Sequence, residues 1–202
     1  HATKSDTKDD ENIDSKDHQD NDDKDKNSNL NKNQNSDQDS DSADSEETDK
    51  QSSEEGIHTY EVITADMTWD EAYNDCIKRG GYLARINSRE EWNAIIAQIQ
   101  ASNTEACYFY VSGTRNDGGS SYYWKNENGE LYGEPLNSSA FWGNDLWLEN
   151  EPSFQDGDVT EDAMAILYMK SANRWVLNDV ANNPLETESY LSGKIAYICE
   201  YE

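Results

Sequence analysis

The order of apolar and polar positions after residue 56 predicts two amphipathic helices near the start of a folded segment. Thr68 is placed to cap the first helix, Glu71 follows three residues later as in a capping box, and Gly80-Gly81 ends it. Ser88 and Glu91 repeat the capping pattern for the second helix. Residues at helical spacing form one apolar face on each: Trp69, Ala72, Tyr73, Cys76 and Ile77, then Trp92, Ile95, Ile96 and Ile99.

Short runs of aromatic and β-branched residues predict strands around and after these helices. We expect antiparallel pairing, since the runs are short and separated by turn residues. A loop-rich region from 126 to 162 interrupts them, and a connection this long inside a compact domain usually has a function. The pattern predicts an α+β fold with small antiparallel sheets. The predicted strands are 57–63, 82–86, 107–111, 122–124, 165–169, 174–177 and 195–199.

Composition divides the 202-residue chain near Gly56. Residues 1–56 contain no Phe, Trp or Tyr and have few aliphatic residues, so they cannot bury enough apolar surface to offset their conformational entropy. We expect a disordered acidic spacer there, with a weak Ca²⁺-binding or mineral-binding tail as the alternative. Residues 57–202 hold all six Trp, all twelve Tyr and all three Cys, and their length suits one domain.

Charge narrows the possible partners. The spacer has 7 Lys against 19 Asp and Glu, which leaves −15 of the chain's −27 for residues 57–202. Nucleic acid is an unfavourable partner because phosphate contacts need Lys and Arg. No apolar run is long enough to predict a membrane-spanning helix. The chain begins at His1, and we expect a mature or recombinant fragment whose leader has been removed.

Oxygen-bearing side chains gather in three stretches within about thirty residues. Ca²⁺ takes roughly six to eight oxygen ligands and has little use for His or Cys, so carboxylates and carboxamides in this arrangement predict a calcium site. The three stretches are Glu151 with Ser153, Glu161 with Asp162, and Asn178 with Asp179.

Residues 57–202 resemble the C-type lectin-like domain along their whole length. The first helix up to Cys76, the stretch 81–91, and the strand 110–113 follow the family order. The run 147–153 (WLENEPS) resembles the family's long-loop motif, and the run 175–179 (WVLND) resembles its Trp-Asn-Asp motif. The run 196–200 (AYICE) resembles the closing strand. The resemblance implies the C-type lectin-like fold.

The resemblance also implies a site. In the family, the matching residues hold one Ca²⁺, and vicinal hydroxyls of a sugar complete the coordination. Carried over, the metal ligands are Glu151, Ser153, Glu161, Asn178 and Asp179, and the first four also contact the sugar. A cis peptide at Pro152 would aim the flanking side chains at one point. The Glu-Pro order favours a mannose-like or glucose-like sugar.

This chain departs from the family pattern at several positions. Ser153 replaces the usual Asn, which weakens the inference about the sugar, and the Trp of the WVLND run lies two residues further upstream than is common. Ala163 and Asn182 replace the inner disulfide, while the outer pair is implied to be Cys76 with Cys199. Cys107 has no family partner, and we expect a buried strand thiol.

Several residues near the site allow a second interpretation. Asp162 is an alternative ligand to Glu161 through its carbonyl or side chain, while Asp156 and Asp158 could support a second ion but more simply form solvated loop. Trp142, Trp147 and Trp175 could stack on a sugar, although such residues more often anchor loops. No Ser-His-Asp or Cys-His arrangement is evident, and no carboxylate pair is singled out for glycoside hydrolysis, so we expect no enzyme.

The leading hypothesis is a calcium-dependent carbohydrate-binding module, secreted or attached to a cell surface and outside the membrane. Its partner would be a glycan, including one on a host or cell-surface glycoprotein. The alternative is a protein-binding, adhesin-type domain whose calcium is structural or absent. The acidic spacer and missing inner disulfide favour a bacterial source.

Overall fold

The computed structural model describes residues 58–202, and these form an α+β domain with two helices and one large mixed sheet. The predicted spacer and the boundary at residue 56 lie outside the described residues. The helices are α1 (Trp69–Lys78) and α2 (Arg89–Ala101). The strands are β1 (Thr59–Thr64), β2 (Tyr82–Leu83), β3 (Tyr108–Thr114), β4 (Tyr123–Lys125), β5 (Leu131–Tyr132), β6 (Gln155–Asp156), β7 (Val159–Thr160), β8 (Ala163–Met169), β9 (Arg174–Val180) and β10 (Ile195–Tyr201).

The capping residues predicted from the sequence begin both helices. Thr68 Oγ1 accepts from the Glu71 backbone N–H, and the Glu71 carboxylate accepts from the Thr68 N–H, a complete capping box. Ser88 caps α2 by accepting from the Glu91 N–H, but the Glu91 carboxylate accepts from Asn87 rather than from Ser88. Gly81 is needed after α1 because a Cβ there would lie 2.4 Å from the Glu200 carbonyl oxygen.

The large sheet has the order β1-β10-β3-β4-β5, with β2 on β10, and β8 joining β3 to β9. The predicted α+β class is confirmed, but the pairing is not antiparallel throughout, since β10 and β3 pair in parallel through Ile195 and Tyr108. The chain segment between these two strands includes β8 and β9, so β10 returns to the centre from a distance in sequence that local patterns do not encode. A separate hairpin of β6 and β7 projects from the long loop.

Alternate residues of the central strands pack on opposite faces of the sheet. Phe109, Ile166 and Ile198 pack with α2 in one apolar cluster. Tyr110 and Tyr197 point the other way and pack with α1 in a second cluster. The period of two along each strand therefore places one helix on each face. No helix among residues 58–202 is long and apolar enough to cross a membrane.

The three cysteines differ from expectation in part. Cys76, on α1, and Cys199, on β10, are both buried, and Cys199 Sγ lies 4.0 Å from the Cys76 carbonyl oxygen. The disulfide between them stays a prediction. The prediction for Cys107 is wrong: it is exposed, because it precedes the first residue of β3 and contributes its N–H to the Lys194 carbonyl rather than its side chain to the core.

Candidate metal and ligand site

Three carboxylates converge where β9 meets the long loop. One oxygen from each of Glu151, Glu161 and Asp179 lies within 4.8 Å of the other two. Asp179 is fully buried, and both glutamates are partly buried. Like charges this close repel one another strongly when water is partly excluded, so the arrangement needs a bound cation or a proton to be stable.

The loop is folded around Asp179. The Glu151–Pro152 peptide is cis, as expected from the sequence, and Phe154 has a left-handed backbone with φ of 67°. The backbone N–H groups of Ser153 and Phe154 donate to the two Asp179 carboxylate oxygens at 3.3 and 2.7 Å. The hydroxyl of Tyr122 donates to the same carboxylate at 3.0 Å. Asp179 is therefore both a candidate ligand and the anchor that positions the loop.

Arg115 lies outside the cavity lining and holds the loop through hydrogen bonds to backbone carbonyl groups. Its guanidinium donates to the carbonyl oxygens of Glu161 at 3.0 Å, Phe154 at 2.9 Å and Gly119 at 2.6 Å, and it forms an ion pair with Asp162 at 2.9 Å. The Asp162 carbonyl accepts from the backbone N–H of Arg115 at 3.1 Å and from the hydroxyl of Thr114, the last residue of β3, at 2.6 Å. Both groups of Asp162 are thus engaged elsewhere, which leaves Glu161 as the candidate ligand of the pair.

Burial and charge both disfavour ionisation of the two glutamates. Burial, followed by the negative charge of Asp179, raises the pKa of Glu161 to about 7. Burial is also the largest cause that raises the pKa of Glu151. Such shifts mark carboxylates whose charge is not compensated by the chain's own cations.

Three buried oxygen atoms around the site have no assigned hydrogen bond: Glu151 Oε2, Asn178 Oδ1 and Asp162 Oδ1. Asp162 Oδ1 lies 2.9 Å from the Arg115 guanidinium, so its charge is paired, whereas the other two oxygens have no such partner. The Asn178 amide nitrogen donates to the Asp179 carbonyl at 2.7 Å, which leaves its carbonyl oxygen free to bind another group. Unpartnered buried acceptors cost free energy and call for a cation or a donor. The oxygen donor set therefore fits Ca²⁺, which prefers carboxylate and amide carbonyl ligands.

The converging side chains form one wall of a cavity of about 490 Å³. Glu151, Ser153, Glu161 and Asn178 line it, and Asp179 does not, since its carboxylate is buried under the loop. Ser153 is exposed, and its hydroxyl donates to Glu161 Oε2 at 3.3 Å. The structure thus brings all five predicted ligands to one place, four of them facing the cavity.

The other candidates from the sequence, two aspartates and three tryptophans, differ in whether they line the cavity. Asp156 lines the cavity and Asp158 does not. None of the three tryptophans lines it: the indole N–H of Trp147 donates to the Leu136 carbonyl at 2.8 Å, and Trp142 donates to the Ile86 carbonyl at 3.2 Å. Trp175 packs edge-on against Phe109. All three anchor loops and strands, the alternative that the sequence left open.

Sequence reasoning missed three residues of the opposite wall and one loop anchor. Tyr108, Thr187 and Glu188 line the cavity, and Arg115 holds the loop. Tyr108 is hidden in a strand pattern, and residues 187–188 lie in a polar connection with no motif. Arg115 directly follows β3, but no sequence motif marks it as the residue that holds the loop.

A family model and a human protein both match this chain. The family model described as Lectin C-type domain matches residues 65–181. The human protein C-type lectin domain family 4 member A is 28% identical over 121 residues, which are 60% of this chain and 44% of that protein. The chain therefore spans less than half the length of that relative.

Solved structures agree on the fold. Human lithostathine has a TM-score of 0.51 at 15% identity, with 73% of this chain and 93% of that chain covered. The C-type lectin CEL-I from Cucumaria echinata also has a TM-score of 0.51 at 15% identity, with 72% and 91% covered. At this level of identity, the two likenesses concern the fold alone.

Proposed function

This chain belongs to the Lectin C-type domain family, and we propose that it binds carbohydrate through a Ca²⁺ ion held at the convergence of Glu151, Glu161 and Asp179. Proteins of the family are generally non-enzymatic carbohydrate-binding proteins, and we propose the same of this chain. The observation that carries the proposal is the pair of unpartnered buried oxygens, Glu151 Oε2 and Asn178 Oδ1, beside three crowded carboxylates.

The residues of the proposed calcium site have different roles, according to the chemistry of their side chains. Asp179 fixes the loop, while Glu151 and Glu161 supply negative charge at the cavity wall. Asn178 offers a carbonyl oxygen from a side chain whose orientation is fixed by its bond to the Asp179 carbonyl. A bound Ca²⁺ would supply the positive charge that attracts sugar hydroxyl oxygens. The carboxylate oxygens beside it would accept hydrogen bonds from those hydroxyl groups.

The mannose-like or glucose-like preference is a finer part of the proposal. It rests on the order of Glu151 and Pro152 in the loop motif. Ser153 contributes a hydroxyl where the family pattern has a carboxamide, and that hydroxyl already donates to Glu161. We therefore propose that the sugar contacts at this position are weaker than a carboxamide would provide.

Calcium binding is tested by calorimetry on the full chain. We expect heat of binding with the unmodified protein and a loss of at least about tenfold in affinity for Glu161→Gln, because charged ligands provide most of the attraction for the ion. Asp158→Asn is the matched control, since it removes one loop charge outside the cavity wall. Equal affinities for the two variants would place the ion elsewhere, and no heat for the unmodified protein would refute calcium binding.

The adhesin-type alternative is favoured by Ser153, which removes one carboxamide from the sugar-contacting set. It predicts a protein ligand whose capture survives chelation. Glycan binding is therefore measured with and without EDTA, with mannose, glucose and galactose as competitors. Binding that EDTA abolishes and mannose or glucose competes supports the lectin proposal. Ligand capture that is unaffected by EDTA and by all three sugars supports the adhesin.

We further propose an extracellular location, secreted or at a cell surface, with a glycan on a host or cell-surface glycoprotein as partner. A disulfide between Cys76 and Cys199 would form in that setting, since both thiols are buried together and oxidising compartments favour such bonds. Mass spectrometry of the natural protein after alkylation tests it: two unmodified, linked cysteines are expected, with Cys107 alkylated. A bacterial source stays a prediction.

A further inference from the structure

The cavity has a second wall, and this wall does not belong to the calcium motifs. It is formed by Tyr108, the first residue of β3, together with Thr187 and Glu188 from the connection between β9 and β10. The Tyr108 hydroxyl donates to Glu188 Oε2 at 3.4 Å. A volume of about 490 Å³ lies within the usual range for small-molecule pockets. A ligand held at the first wall would extend against the second.

The charge around this space is strongly one-sided. Glu151, Asp156, Glu161 and Glu188 line the cavity, and the buried Asp179 lies beneath its floor. Among the described residues, no Lys, Arg or His lines it. A single Ca²⁺ would offset two of these five carboxylates and leave three uncompensated.

Two basic side chains on segments next to the cavity, Arg115 and Lys194, do not supply the missing positive charge. Arg115 lies behind the loop, where its ion pair with Asp162 and its three carbonyl acceptors use its donors. Lys194 lies over the ring of Tyr190, with Nζ 5.9 Å from the centroid, and is not part of the cavity lining. A ligand in the cavity therefore meets a negative electrostatic potential that the chain's own basic residues do not compensate.

We infer that this cavity selects glycans that carry a protonated amine, such as amino sugars without an acetyl group, and that Glu188 determines this selectivity. The inference rests on the proposed carbohydrate function and names its ligand class. An ammonium group has three hydrogen-bond donors and no acceptor, so it suits a wall made of carboxylates and a tyrosine hydroxyl. Sulfated, sialylated and uronic-acid glycans are disfavoured, because their charge would face three uncompensated carboxylates.

Tyr108 is the aromatic residue of the second wall. Its ring is partly buried, so it offers a rigid apolar face beside the acidic groups. Burial, followed by the charge of Glu188, raises the pKa of Tyr108, which keeps its hydroxyl protonated and able to donate. Tyr108 therefore orients Glu188 and provides a surface for a sugar ring, a role that the sequence suggested for tryptophans.

The test compares three tetrasaccharides with the same β-1,4 backbone that differ at carbon 2: the chitosan tetramer with amines, cellotetraose with hydroxyls, and the chitin tetramer with N-acetyl groups. Affinities are measured by calorimetry with saturating Ca²⁺ at a pH where the amine is protonated. We expect the chitosan tetramer to bind about fivefold more tightly than cellotetraose, the size of a partly exposed ion pair. Glu188→Gln should remove most of this preference.

Glu186→Gln is the matched control. Glu186 lies two residues away on the same connection, is exposed, accepts from Asn183, and does not line the cavity. The variant removes the same charge from the same connection without changing the cavity lining, so it separates a direct contact from the general electrostatic field of an acidic protein. Melting temperatures of both variants check that the fold is retained.

The outcomes distinguish this inference from the proposed function. Equal affinities for the three tetramers, or equal losses of preference in Glu188→Gln and Glu186→Gln, overturn the amine selectivity and leave the lectin proposal intact. Binding of the uncharged cellotetraose that is unchanged in EDTA overturns calcium dependence, while a preference for the chitosan tetramer that Glu188→Gln removes and Glu186→Gln keeps supports the amine contact. No binding of any of the three tetramers overturns the amine inference, while glycan capture by other sugars decides the lectin proposal separately.

Discussion

The sheet core and the cavity loop are stabilised in opposite ways. The core between α2 and the sheet consists of residues such as Ile95, Phe109 and Ile166, which are almost completely buried and carry no charge. The loop is held by hydrogen bonds to the charged groups of Asp179 and Arg115. Apolar burial needs no partner from outside, whereas a cluster of carboxylates does. The core should therefore fold without ions, and the loop should depend on them.

Truncation of the core should have the largest effect and should leave the loop unchanged. Ile95→Ala should lower the free energy of unfolding by about 2–5 kcal/mol, because it removes buried methyl groups and leaves a cavity. Calcium affinity of the folded fraction should not change. Chemical denaturation and calorimetry measure the two quantities.

Ile96→Ala is the control for this change. Ile96 follows Ile95 on the same helix and is only partly buried, so the same truncation should cost clearly less. Equal costs at the two positions, or a large drop in calcium affinity for Ile95→Ala, would show that core and loop are energetically coupled.

Calcium itself should stabilise the domain through the loop. At a free concentration one hundred times its dissociation constant, the ion should add about 2.7 kcal/mol to the free energy of unfolding. Chelation should also expose the loop between residues 150 and 162 to protease, because the crowded carboxylates then repel one another. Thermal melts and limited proteolysis with and without EDTA check both effects. A melting temperature that does not respond to calcium would contradict the comparison.

Weakening the hydrogen bonds of Arg115 should destabilise the cavity loop without disturbing the core. Arg115→Lys keeps the charge but cannot reach three carbonyl groups at once, so we expect a loss of about 1–3 kcal/mol and a weaker calcium affinity. Arg174→Lys is the control, since Arg174 donates to two carbonyls of the segment 145–147 outside the cavity wall. Arg174→Lys should lower stability but leave the calcium affinity unchanged. If calcium affinity fell in Arg174→Lys and not in Arg115→Lys, Arg115 would have no role in positioning the site.

The smallest expected effect is a pH dependence of the ion-free loop. The pKa of Glu161 rises from its ordinary value of 4.5 to about 7 in the fold, so the folded chain binds more protons than the unfolded chain between these values. Stability should therefore fall as pH rises through this window, by about 1 kcal/mol after solvent screening. Denaturation in EDTA between pH 5 and 8 measures it, and Glu161→Gln should clearly reduce the slope, leaving the smaller part that comes from other groups with a raised pKa, such as Glu151. A slope that is as large in that variant as in the unmodified protein would show that Glu161 is not the titrating group.

Local patterns predicted much of this molecule. Thr68 and Ser88 begin the two helices as expected, since a cap depends only on residues three positions apart. The side chains predicted as ligands also lie together, with Glu151, Glu161 and Asp179 in mutual reach, because the resemblance carried long-range information that spacing alone lacks. The parallel pairing of Ile195 with Tyr108 could not be read from either strand, as register depends on distant partners.

What the sequence left open or missed near the site has the same origin. Asp162 is an alternative to Glu161 as a ligand in the sequence, and the ion pair of Asp162 with Arg115 favours Glu161. Glu188 has no motif, because its role comes from a connection that folds back towards Tyr108. The prediction for Cys107 failed since one residue separates a buried strand position from an exposed one.

The pairing of β1 with β10 has a mechanical consequence. Thr59 lies opposite Tyr201 and the strands run antiparallel, so the two ends of the described chain leave the sheet side by side. Tension that pulls residues 58 and 202 apart would unzip these hydrogen bonds one pair at a time, which is the weak loading direction. Tyr108 pairs with the opposite end of β10, about 20 Å along the strand. Tension between the cavity and residue 202 would instead act along β10 and load several hydrogen bonds together in shear.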